Sequence, residues 1–192
     1  MKKVLIFLLF LLTQSAIAEN NTAFNIKGFS SFGIGLVGED LVTTTDDSKL
    51  TTAGLLHLSY GALFRIPSSQ IEIQTAVGFK YDELRVTSGK YSFQEWSVEA
   101  IPFYRINSRT RVGLGMLHVL SAELSGPESA EFATATGLAL EINWKTGNKT
   151  GWGFRYVDIE LPIDRVNGSD VSAFGDKLDG SYFSIVSYHQ FR

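Results

Sequence analysis

Apolar residues alternate with polar or small ones along most of the chain from about residue 23 to residue 191. The pattern is clearest from Gln70 to Asp82, where Ile71, Ile73, Thr75, Val77, Phe79 and Tyr81 share one face. Glu72, Gln74, Ala76, Gly78, Lys80 and Asp82 share the other. A two-residue period belongs to extended strands, whose successive side chains point to opposite sides. The pattern predicts about eight strands, near 23–37, 49–66, 70–84, 91–106, 110–122, 132–146, 150–161 and 181–191. No stretch after residue 18 has the roughly 20 apolar residues of a membrane helix or a sustained 3.6-residue period. The predicted fold class is all-β.

Several of these strands exceed the roughly 5–6 residues usual in globular sheets. Their connections alternate in length. Pro67-Ser68-Ser69, Asn107-Ser108-Arg109 and Gly147-Asn148-Lys149 read as tight turns, whereas 38–48, 85–90, 123–131 and 162–180 read as longer polar loops. In outer-membrane barrels short turns face the periplasm and long loops face outward, and an even strand count leaves both termini periplasmic. The expectation is a transmembrane antiparallel up-and-down β-barrel, apolar toward lipid and polar toward its lumen. Trp144 and Trp152 fall opposite each other across the Gly147 turn, with Phe64 and Tyr104 beside the other two turns. These four predict an inner aromatic girdle, and Phe79, Tyr81 and Trp96 an outer one. Pro102, inside the fourth strand, cannot donate a ladder hydrogen bond and predicts a bulge or weakened pairing.

The first residues change where this chain is expected to work. Met1-Lys2-Lys3 supplies a positive start, Val4 to Leu12 an apolar run, and Ala16-Ile17-Ala18 a small-x-small cleavage pattern. Residues 1–18 are therefore expected to be a signal peptide and 19–192 a single barrel domain. The net charge of −3 becomes more acidic once Lys2 and Lys3 are removed, which argues against a nucleic-acid partner. With no cysteine present, disulfides do not stabilise the fold.

An expected signal peptide, about eight amphipathic strands, alternating turns and loops, and a last strand ending Tyr188-His189-Gln190-Phe191-Arg192 together resemble the small outer-membrane barrels of the OmpA/OmpX/OmpW-like superfamily. The resemblance spans nearly all of the chain after residue 18. It implies residence in the cell outer membrane, contact with its lipid and lipopolysaccharide, insertion by the outer-membrane assembly machinery, and a monomeric state. Phe191 is penultimate here, where that superfamily usually ends in a terminal Phe.

Candidate chemistry concentrates on inward positions. Glu95 and Glu99 share a strand face with Arg105, and paired carboxylates can do acid/base work. Mirror arithmetic about the turns instead brings Lys80 opposite Glu95, Arg65 opposite Glu72 and Glu141 opposite Arg155. Arg105 and Arg111 face each other as like charges, which calls for a carboxylate such as Glu72 between them. An eight-stranded barrel is only wide enough to be filled by its side chains, so this set reads as an ion-paired plug.

His57-Leu58-Ser59 resembles the His-x-Ser of outer-membrane lipid A deacylases, but Leu56, Leu58 and Tyr60 claim the lipid face and put His57 and Ser59 in the lumen. His118 and His189 lie apart from them, without the clustering of a metal site. Glu39-Asp40, Asp46-Asp47, Asp170, Asp176 and Asp179 lack the ligand spacing of a calcium loop and read as solvated charge. No cofactor or metal is called for. The function expected is a non-enzymatic outer-membrane barrel with a structural or interaction role carried by its loops. A small solute pore and a lipid-modifying enzyme are the alternatives.

Overall fold

A strand with one apolar and one small or charged face needs neighbours that continue the alternation until the sheet closes on itself. The structure, a computed structural model, describes residues 25–43, 48–86 and 89–191. The expected signal peptide at 1–18 and the acidic pair Asp46-Asp47 lie outside these residues. In chain order the strands are β1 (Asn25–Gly38), β2 (Asp40–Thr43), β3 (Lys49–Thr51), β4 (Leu56–Arg65), β5 (Ile71–Val86), β6 (Gly89–Arg105) and β7 (Thr110–Ser125). They continue as β8 (Ala130–Phe132), β9 (Ala135–Lys145), β10 (Thr150–Asp158), β11 (Glu160–Val166), β12 (Ser169–Asp170), β13 (Lys177–Asp179) and β14 (Tyr182–Phe191).

Eight of these close an antiparallel up-and-down barrel in the order β1, β4, β5, β6, β7, β9, β10, β14, with β14 returning to β1. Three tight turns mark one end of the barrel, here the turn end, and the remaining connections mark the loop end. Register follows the turns: Arg65 stands opposite Glu72, Lys80 opposite Glu95, Arg105 opposite Arg111 and Arg155 opposite Glu141.

At the loop end the strands differ from the sequence reading. The expected strand over 49–66 is broken, because Gly54 adopts φ 68° and turns the chain between β3 and β4. The segment before that turn pairs with β2 instead, forming a hairpin that folds back over the barrel mouth. The Gly54 carbonyl accepts from the Gly35 amide, and the Glu39 amide donates to the Thr52 hydroxyl. Leu50, Thr52 and Ala53 are thereby buried.

Position 85–90 is not a long loop: β5 continues to Val86 and β6 begins at Gly89. The expected loops 123–131 and 162–180 also carry strand, since β8 pairs with both β7 and β11, and β11 also pairs with β12 and β13. These loop-end strands are short and pair outside the closed ring, so they lack the long alternation that identifies the barrel staves.

Pro102 keeps the β5–β6 register intact opposite Ile73. Toward β7, paired positions stop at Ala100 opposite Met116 and resume at Phe103 opposite Gly113 in the same register. Pairing therefore lapses beside Pro102 without a bulge. The bulge of this ladder lies between Trp96 and Ser97, where β7 accommodates an extra residue.

The interior is layered. Toward the turn end it is charged, but toward the loop end it is apolar, a departure from the uniformly polar lumen expected. Leu50 and Ala53 of the folded-back hairpin join Phe93, Leu124, Phe132 and Leu161 in one buried cluster. On the outside, large apolar side chains such as Phe32, Ile34, Leu58, Leu114, Leu140 and Phe154 are exposed. Trp144 and Trp152 pack at 5.0 Å across the β9–β10 turn, and Phe79 and Trp96 at 4.8 Å nearer the loop end.

Candidate functional site

Inward positions of six strands supply a linked set of charges. At the turn end Glu72, with no solvent exposure, is shared by three arginines. Arg65 reaches its Oε1 at 2.5 Å, Arg105 Nε lies 3.5 Å from the same oxygen, and Arg111 is 3.3 Å from Oε2. The like charges of Arg105 and Arg111 are thus separated by a carboxylate. Arg111 also donates to Gln74 Oε1 at 3.0 Å, and its guanidinium lies 4.0 Å from the Phe103 ring centre.

From Gln74 the chain of contacts crosses the barrel. Its amide donates to Glu99 Oε1 at 3.2 Å, and Glu99 takes a two-pronged contact from Arg155 at 2.8 and 3.2 Å. Arg155 also donates through Nε to Glu141 at 2.7 Å, and Glu141 accepts from Asn143 at 2.8 Å. Glu99 therefore turns to Arg155, on a strand that is not its neighbour, and away from the Arg105 with which it shares a face of β6. Register relates adjacent strands only, so this contact had no signal in the sequence. Gln74 and Asn143 did have one, since each sits two residues from a charged inward position.

Nearer the loop end Lys80 and Glu95 meet at 2.8 Å, both almost fully buried. The Lys80 ammonium also lies 4.1 Å from the centre of the Tyr182 ring. Such contacts suit a desolvated cation, because the aromatic face carries partial negative charge. His57 and Ser59 are also inside, with Ser59 Oγ 3.2 Å from His57 Nε2. The other ring nitrogen, Nδ1, is buried without a hydrogen-bond partner. A histidine serving as general base is normally oriented through that nitrogen, and among the described residues no side chain holds it.

His118 faces outward, 2.8 Å from the Thr136 hydroxyl on β9. Among the described residues no three His, Cys, Asp or Glu side chains gather as a metal site. The loop-end acids are solvated: Lys49 pairs with Asp40, Lys177 with Glu160 and Arg165 with Glu131 at exposed positions. Asp170 accepts from the hydroxyl and amide of Ser172, which hold its carboxyl below the usual aspartate range.

An apolar exterior, an ion-paired interior and a ladder without free edges define the chain as a small closed antiparallel β-barrel. Neither a family model nor a curated protein sequence matches it. Among solved structures, it is similar to Ail, the attachment invasion locus protein of Yersinia pestis, in complex with the heparin analogue sucrose octasulfate. That match has 15% identity and a TM-score of 0.45, and covers 88% of this chain and 97% of Ail. Neisserial surface protein A (NspA) matches at 14% identity and TM-score 0.45, over 90% of this chain and 100% of its own. OmpT, an outer membrane protein of Vibrio cholerae, matches at 15% identity and TM-score 0.33, over 90% of this chain and 53% of OmpT.

Proposed function

We propose that this protein is an integral outer-membrane barrel without enzymatic activity, closed to solutes, whose loop end is its interaction surface. The observation that carries this reading is the inversion of the barrel wall toward the turn end: its charges are inside and its large apolar side chains outside. Leu114, Met116, Leu138 and Phe154 are 43–59% exposed, as lipid-facing positions would be. A soluble monomer rarely presents apolar surface so extensively, whereas a closed barrel satisfies every strand and can lie in hydrocarbon. The expected signal peptide supports export, and the tight turns support a periplasmic turn end.

The charge network and the Leu50 cap support a plug over a pore. Beside Glu72, Arg105 and Arg111 the free space is about 10 Å³, at the lower limit of what one water needs. The test is reconstitution into planar bilayers together with membrane fractionation of cells. The protein should sediment with the outer membrane and give no discrete conductance steps. Steady single-channel currents would establish the pore instead, and recovery as a soluble protein would remove the membrane reading.

A further inference from the structure

The two ends of the barrel differ sharply in charge, and the turn end carries more positive charge than its own carboxylate can neutralise. Lys27, Arg65, Arg105, Arg111 and Lys145 project from inward register positions at that end, and Arg109 lies in the β6–β7 turn. Glu72 is the one carboxylate that pairs with any of them among the described residues. Arg65, Arg105 and Arg111 already share it, and no carboxylate among those residues pairs with Lys27, Arg109 or Lys145. Cations gathered at one partly exposed mouth repel one another, so an anion nearby makes the arrangement more favourable.

A space to receive one lies between two turns. A cleft of about 710 Å³ is lined by Ser108, Arg109, Lys145, Thr146, Gly147 and Asn148, two cations and three neutral donors with no carboxylate. A smaller space shares Ser108, Arg109 and Lys145 with it and reaches Arg111 and the Glu72 carboxylate that Arg111 pairs with. Arg111 is only 4% exposed, and its Nε has no acceptor. The turn is pre-shaped: Asn107 Oδ1 accepts from the amides of Arg109 and Thr110, and the Lys145 amide donates to the Arg109 carbonyl.

We propose that this cleft binds a phosphoryl group of multiple negative charge, held by Arg109 and Lys145 and oriented by Ser108, Thr146 and Asn148. A monocarboxylate would cancel one charge of the excess and leave most donors unused. A phosphoryl group offers several oxygens to guanidinium, ammonium and hydroxyl donors at once. The phosphoryl group can belong to a soluble phosphoester or to an anionic phospholipid headgroup, since Trp144 and Trp152 stand directly beside the β9–β10 turn. The assignment is independent of which end of the barrel faces outward.

The probe is sodium pyrophosphate, titrated calorimetrically into the full barrel in a maltoside detergent. Saturable binding is expected, weakening as salt is raised. The R109Q/K145Q variant should lose on the order of tenfold or more in affinity, about the worth of one charge-assisted contact. K177Q at the loop end should bind like the parent. Because the substituted side chains are in or beside exposed turns, the gel mobility shift of the folded barrel should persist in each variant.

Repeating the titration in phosphatidylcholine nanodiscs with and without phosphatidylglycerol separates the sources. Loss of pyrophosphate binding only with phosphatidylglycerol identifies a headgroup site, and equal binding in both identifies a soluble phosphoester. Absence of saturable binding, or unchanged affinity in folded R109Q/K145Q, would overturn the proposal.

Discussion

A guanidinium with 1% exposure persists inside a barrel only if its surroundings replace the water it has lost. Arg155 meets that demand through two carboxylates, Glu141 at Nε and Nη2 and Glu99 at Nη1 and Nη2. Removing Arg155 would strand both buried carboxylates, whereas removing Glu141 alone leaves Arg155 paired with Glu99, and removing Arg155 together with Glu141 strands Glu99 only. Arg155→Met alone should therefore destabilise by on the order of 3–5 kcal/mol, and Glu141→Gln by less. The double substitution should cost less than the sum of the two. Urea unfolding in lipid vesicles provides the double-mutant cycle, and strictly additive losses would mean that the two side chains do not interact. The Glu141 to Arg155 pairing was legible in the sequence because a tight turn fixes which residues stand opposite. The second anchor, Glu99, was not, since its contact depends on how the closed ring folds side chains across its middle.

At the scale of elements, the staves were the legible part. Their alternation is enforced by two unlike environments, one apolar and one crowded with charge, and a shift of one residue would exchange them. The β2–β3 hairpin was not legible, because Leu50 continues the alternating pattern of β4 in sequence while Gly54 reverses the chain between them. Thr52 and Ala53, which look like ordinary strand residues, instead form the turn of a cap. Its energetic weight rests on Leu50, which has no exposed surface and belongs to a strand in contact with β5 and β6. Leu50→Ala should cost about 2–5 kcal/mol, the usual range for emptying a packed leucine site. That loss should add to the loss from Arg155 substitution, since the cap and the charge network are separate layers. Stability unchanged in Leu50→Ala, read by the same urea unfolding, would mean that the hairpin rests on the mouth without sealing it.

For the whole molecule, the turn end is basic and the loop end acidic, and the proposed orientation places these ends on opposite sides of one membrane. Protease sites introduced at Asp170, the last residue of β12, should be cleaved on intact cells, while a site at Asn148 should survive until the outer membrane is permeabilised. Equal cleavage at both would overturn the orientation. The basic end escaped the sequence reading because its cations come from separate turns and strand ends, with no run of charge to mark them. Closure gathers them into one mouth.

Closure itself has a seam. On the outside of β1, Gly28 has no side chain to hold the Phe191 ring away, and that ring passes over it to stack on Tyr60 of β4 at 5.6 Å. The first and last staves of the ring are joined there, and bringing together segments so remote along the chain costs on the order of 4–5 kcal/mol of loop-closure entropy. Until they meet, β1 and β14 are open edges, each with a row of unpaired amides and carbonyls. Hydrocarbon offers those groups no partner. For a barrel that resides in a membrane, burial in the bilayer and completion of the ring are therefore a single event, unless the strands of another protein occupy both edges while this chain waits to close.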